Sequence, residues 1–158
     1  MLFFIHHNLF IPIHQTVFQK RFDGSVDFYL NYNAYQNGFG TPDGEHWLGL
    51  DKIRRLSELN GMMLRIDLCG NSDCSFARYE NFSIGSSTDG YRLAVSDFDS
   101  SSTLVQRLLY HNGMKFSAQD NDQDAHPTAN CAVLGAGAWW YRAVSLFVSR
   151  SLFAASIN

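Results

Sequence analysis

A chain of 158 residues with 46% hydrophobic content is long enough for one domain with a real core and too apolar for a disordered segment. Its net charge of −3, with no Lys/Arg cluster, gives no electrostatic reason to bind nucleic acid or an anionic membrane. Aromatic residues at 15% favour many short strands and packed loops.

The first stretch, Met1 to Ile13, is apolar but makes a poor signal peptide. It lacks a basic leading region and a small-x-small cleavage site, and it is too short to span a bilayer. From Gly24 to about Asn37 the spacing of Phe28, Tyr32 and Tyr35 predicts a short helix with Ser25 as N-cap. Gly38, Gly40, Pro42 and Gly44 break the pattern. A second helix is predicted from about Leu50 to Leu59, with Ile53 and Leu56 inward, Arg54 and Arg55 outward, and Gly61 at its end. Alternation from Met62 to Leu68 predicts a strand. Further strands are expected over Phe76–Phe82 and Tyr91–Val95, joined by the polar loop Gly85–Gly90. Asp97 to Tyr110 is left unassigned, and from His111 onward the chain reads mostly as loop. Long loops in small domains are usually functional or disordered, and the residues here favour function. The apolar run from Val144 to Ile157 is interrupted by Arg150 and is too short to cross a membrane.

Three carboxylates at alternate positions, Asp120, Asp122 and Asp124, dominate the last third of the chain. Such a loop is poorly stable unless a hard cation draws its oxygens together. It is not an EF-hand: Ala125 stands where a glycine is needed and Cys131 where a bidentate Glu is needed. On the residues alone, a cation site and a plain acidic surface loop both fit.

Cys69 and Cys74 flank the turn Gly70–Asp73, and neighbours across a tight hairpin have the spacing a disulfide requires; two free thiols are the alternative. Cys131 is the odd cysteine. With no CxxC pair, and with His126 the only histidine near a cysteine in sequence, zinc is not expected. Asn81-Phe82-Ser83 is an N-glycosylation sequon, though a position on a strand edge would leave it unused. No nucleophile elbow, HExxH, P-loop or dinucleotide fingerprint occurs. His111 is read as structural, and Trp139 and Trp140 as core rather than a ligand platform.

Ordered blocks along most of the chain resemble the fibrinogen C-terminal domain family, which includes ficolins, tachylectins, angiopoietins, tenascin tails and fibrinogen. They run from Thr16-Val17-Phe18-Gln19-Lys20-Arg21, through Gly44-Glu45-His46-Trp47-Leu48-Gly49-Leu50-Asp51 and His111-Asn112-Gly113-Met114-Lys115-Phe116-Ser117, to Gly137-Ala138-Trp139-Trp140-Tyr141. The resemblance implies an α+β domain with a central antiparallel sheet, short helices and a loop-rich subdomain for calcium and ligand. It divides the chain into an unrelated segment 1–15, a truncated family domain 16–141 and an aberrant tail 142–158. It implies structural calcium, with side-chain oxygens from Asp122 and Asp124 and carbonyls from His126 and Thr128.

The resemblance also implies a secreted, non-enzymatic recognition module that homo-oligomerises in a full-length form. Its ligand would be acetylated carbohydrate or an extracellular protein, as in innate-immune lectins or in receptor- and matrix-binding members. Three departures stand against it. Val144 and Ser145 replace the family's Cys-His, which leaves Cys131 without its usual partner. Gly135 stands where sugar-binding members carry an aromatic residue. Both ends depart abruptly, as a frameshift, intron read-through or mis-called gene boundary would produce. A truncated, non-functional fragment is therefore a further expectation.

Overall fold

The computed structural model describes residues 15–59, 61–70, 73–143 and 153–157. Strand β1 (Thr16–Arg21) is followed by helix α1 (Tyr32–Asn37), the short strands β2 (Phe39–Gly40) and β3 (His46–Trp47), and helix α2 (Leu50–Ser57). Strands β4 (Leu64–Cys69), β5 (Cys74–Ile84) and β6 (Leu93–Phe98) follow, then the one-turn helix α3 (Cys131–Leu134) and strand β7 (Phe153–Ile157). This is the expected α+β arrangement: seven strands form one antiparallel sheet in the order β2-β3-β1-β7-β4-β5-β6.

The first helix begins later than its spacing suggests. The Glu45 carboxylate accepts backbone N–H groups from Asp23, Gly24 and Val26, each at 3.0 Å, and from Phe22. Asp23 and Asp27 side chains accept amides two residues further on. With its donors committed to carboxylates, this segment stays irregular, and Asn31 rather than Ser25 caps α1 by accepting from the Ala34 amide at 2.8 Å. Helix α2 ends near the predicted place, with Leu50 and Ile53 fully buried.

The centre of the sheet comes from the end of the chain. Ala155 of β7 lies opposite Gln19 of β1 on one side and Ile66 of β4 on the other. Strands β1 and β4 do not pair directly, so β7 joins two three-stranded halves. Ala154, Ala155, Ser156 and Ile157 are all buried, consistent with a strand paired on both sides at the centre of the sheet. These residues belong to the stretch set apart above as 142–158; positions 144–152 and 1–14 lie outside the described residues.

An aromatic core connects sheet, helices and the late loops. Trp47 on β3 meets Tyr35 on α1 at 5.4 Å between centroids, and Phe116 meets Trp140 edge-on at 4.9 Å. Both indole N–H groups donate to backbone, Trp47 to the Tyr35 carbonyl at 2.8 Å and Trp140 to the Tyr91 carbonyl at 2.6 Å. Trp139 and Trp140 are thus core residues, at 6% and 1% exposure. This packing holds the segments on either side of the acidic loop.

Candidate functional site

The acidic loop starts from a short bridge. Ser117 and Trp139 exchange backbone hydrogen bonds at 2.9 and 3.1 Å, and the Ser117 hydroxyl accepts the Gln123 amide at 2.9 Å. The three alternating carboxylates then part company. Asp120 turns away and accepts the Tyr32 amide at 2.7 Å, at the first residue of α1. Asp122 and Asp124 remain in the loop: Asp122 accepts the Asp124 amide at 3.2 Å, and Asp124 accepts the His126 amide through Oδ1 and the Cys131 amide through Oδ2, both at 2.7 Å.

The rest of the turn closes on His126, whose Nδ1 accepts from the Thr128 and Ala129 amides at 3.3 and 3.1 Å. Asn130 then caps α3, accepting from Ala132 and Val133. No described residue donates a hydrogen bond to the carbonyls of His126 or Thr128. A hard cation needs oxygen donors, and two carboxylates plus two open carbonyls are such a set. No cluster of three or more His, Cys, Asp or Glu side chains is placed for a metal among the described residues. A cation here would therefore draw on carbonyls and water for the remaining ligands. The Cys131 thiol beside the loop is buried, and burial first, and then Asp124, push its pKa up to about 12.

Asp122 and Asp124 line an open cleft of about 410 Å³ together with Arg92, Gly113 and Lys115. Arg92 is anchored by the Asp89 carboxylate and donates to the Gly113 carbonyl at 2.7 Å. Lys115 is half-buried, and its side chain lies over Gly90, where an added Cβ would come within 3.0 Å of the lysine Cδ and 2.7 Å of the Gln123 amide oxygen. Sequence reasoning missed Arg92, which lies thirty positions before Asp122 and carries no spacing signal for a shared cleft, and Lys115, whose nearness to the loop in sequence does not say that it lines the same cleft.

The other sequence-derived sites lie elsewhere. Cys69 and Cys74 form a disulfide across the β4–β5 hairpin, at directly paired positions. Asn81 is exposed on β5 opposite Ser96, and its amide donates to Ser96 Oγ at 3.3 Å and to Asp97. Cys131 is a free thiol at 1% exposure. His111 is buried and accepts the Arg142 amide at 3.3 Å; burial is the main cause that holds its pKa below the ordinary value. At Gly135 a Cβ would come within 2.8 Å of the Tyr141 hydroxyl, so an aromatic side chain would fit there only if Tyr141 moved. Among the described residues, no helix is long and apolar enough to cross a membrane.

Residues 14–149 match the profile described as fibrinogen beta and gamma chains, C-terminal globular domain. The chain is 44% identical over 133 residues to fibrinogen C domain-containing protein 1 of Macaca fascicularis, across 80% of this chain and 30% of that protein. It is 45% identical over 133 residues to microfibril-associated glycoprotein 4 of Bos taurus, across 80% of this chain and 51% of that protein. It therefore spans about half or less of the length of these relatives. The human ANGPTL2 fibrinogen-like globe domain superposes with a TM-score of 0.82 at 30% identity, covering 91% of this chain and 79% of that one. Lamprey fibrin D-dimer, solved in complex with the peptide Gly-His-Arg-Pro-amide, superposes with a TM-score of 0.69 at 32% identity, covering 80% of this chain and 45% of that one. With its sheet, its late loops and most of its length accounted for in this way, the chain belongs to the fibrinogen C-terminal domain family.

Proposed function

We propose that this chain is an extracellular recognition domain, braced by calcium at the 122–131 loop, that binds acetylated carbohydrate in the manner of an innate-immune lectin. The observation that carries the reading is that Asp122 and Asp124 line one cleft, with the His126 and Thr128 carbonyls open in the same turn. Calcium would supply charge neutralisation and stiffness there; this chain's residues supply the oxygens and the shape of the pocket.

A cation that binds only the folded state stabilises it by mass action. At a hundredfold excess over its Kd, calcium should raise Tm by roughly 5 °C or more over a chelated sample. Asp122→Ala should lose that shift, and the parent should bind an acetylated-sugar resin and elute with free N-acetylglucosamine or chelator. An unmoved Tm in the parent would remove calcium from the account; a resin that retains nothing would remove the sugar.

A second reading, a receptor- or matrix-binding domain, is favoured by Gly135. Its contact distance to the Tyr141 hydroxyl leaves no aromatic wall for a sugar ring. The lamprey relative's peptide complex shows that a protein of this family takes a peptide. Calcium-dependent stability without resin binding would select this reading.

A further inference from the structure

On the extracellular part of the reading above, and on neither its calcium nor its sugar ligand, we propose that Asn81 carries an N-linked glycan whose first N-acetylglucosamine lies in the groove beside it, over Leu59 and Met62. Asn81-Phe82-Ser83 is the one Asn-x-Ser/Thr sequence in the chain. It does not stand on an edge strand, because β5 pairs with β4 on one side and β6 on the other. Phe82 and Ile84 are buried, so their alternates Asn81 and Ser83 take the opposite face of the ladder.

That face is built from small and polar side chains. Asn81 lies directly across from Ser96, and Ser83 from Ala94; Asn81, Ala94 and Ser96 are all exposed. Together with Leu59 and Met62 they line an open groove of about 340 Å³, at the small end of ligand-sized sites and roomy enough for a sugar ring. Leu59, just beyond the end of α2, leaves 60% of its surface uncovered. N-acetylglucosamine has a ring face of C–H groups and an acetyl methyl that can cover such a surface, while its hydroxyls stay with water and Ser96.

The linkage also suits the asparagine itself. Transfer from a lipid-pyrophosphate-linked oligosaccharide forms a bond from Asn81 Nδ2 to the anomeric carbon and breaks that carbon's bond to the pyrophosphate oxygen. The lipid pyrophosphate leaves with the electron pair, the amide gives up one proton, and nothing is oxidised or reduced. Transfer precedes folding, so the strand does not bar it; the fold has only to accommodate the product. In the free side chain Nδ2 donates to Ser96 Oγ at 3.3 Å and to the Asp97 carboxylate. The linked nitrogen keeps one N–H, and Asp97 remains to accept it, so only the Ser96 bond is given up.

The full chain, secreted from animal cells behind an added cleavable leader, should run as one discretely heavier species that peptide N-glycosidase F collapses. Ser83→Ala should abolish that step with Asn81 still in place, and Ser83→Thr should keep it. The leader sends the chain into the secretory pathway, so an unmodified Asn81 there would overturn the site and leave the extracellular reading standing. That reading fails separately, if the endogenous protein is found inside the cell. Endoglycosidase H, applied to chains carrying high-mannose glycans, leaves a single N-acetylglucosamine on Asn81. This form should melt roughly 2–4 °C above the unglycosylated parent made in the bacterial periplasm, as expected for covering part of Leu59 and Met62. Leu59→Ser should remove most of that gain while leaving the Tm of the unglycosylated chain almost unchanged. Equal melting of the two forms, or a gain that survives Leu59→Ser, would overturn the groove as the seat of the glycan.

Discussion

The carboxylate of Asp124 accepts the Cys131 backbone amide at 2.7 Å, which ties the end of the acidic run to the first residue of α3. Its other oxygen holds the His126 amide, so one side chain spans the whole turn. The same proximity bears on the thiol. Burial, reinforced by Asp124 and Asp122, pushes the Cys131 pKa up to about 12.

Asp124→Ala should weaken the loop whether or not calcium is present, because two amides lose their acceptor. A cost of about 2–3 kcal/mol in urea denaturation with chelator is expected. A variant as stable as the parent under those conditions would mean that the carboxylate matters only to a cation.

Cys131 should be silent to a disulfide reagent at pH 8 in the native protein, since it is both buried and protonated there. Labelling should appear with unfolding. Fast native labelling would contradict the buried thiol.

Glu45 is 2% exposed and accepts four backbone amides. Burial pushes its pKa up, but the Gly24, Val26, Phe22 and Asp23 amides outweigh it and hold the group below its ordinary value. A depressed acid stabilises the fold above its unfolded pKa, and that stability is lost as pH falls through the folded one. Glu45→Gln should cost about 1–3 kcal/mol at pH 7. It should also flatten the fall in stability below about pH 4.5; an unchanged acid profile would clear Glu45 of this role.

His111 gives a slope at higher pH. Burial chiefly holds its folded pKa below the ordinary value, so the neutral ring is favoured in the native state. Stability should be complete above the unfolded pKa of about 6.5 and decline as pH falls from there toward the folded value. Denaturation measured between pH 7.5 and 5 should show this decline, reduced in His111→Gln.

Strand β7 should be indispensable. A chain ended before Phe153 leaves β1 and β4 as two open edges in the middle of the sheet. Loss of the cooperative melt and aggregation in size-exclusion chromatography are expected. A truncated chain that melts like the parent would show that β7 adds nothing.

Much of the fold was legible because its signals are local. Period-two alternation marked β4, and the spacing of Ile53 and Leu56 marked α2. The helix predicted from Gly24 starts only at Tyr32, because Glu45, about twenty residues away, captures the amides of Phe22, Asp23, Gly24 and Val26. The paired cysteines were readable from their hairpin turn. The cleft that Arg92 shares with Asp122 and Asp124 was not, since thirty residues separate Arg92 from Asp122 and no local pattern records it.

By itself, then, the sequence carried the ordered blocks that resemble the family, and through that resemblance the α+β class, together with a cysteine pair flanking a tight turn and the acidic run. Tertiary structure alone decided the rest. It sent Asp120 to α1 while keeping Asp122 and Asp124 in the loop, set Lys115 across Gly90, and placed a strand from the chain's end at the centre of the sheet. Each of these depends on contacts between residues far apart in the chain, and such contacts form only when burial of the core draws those residues together.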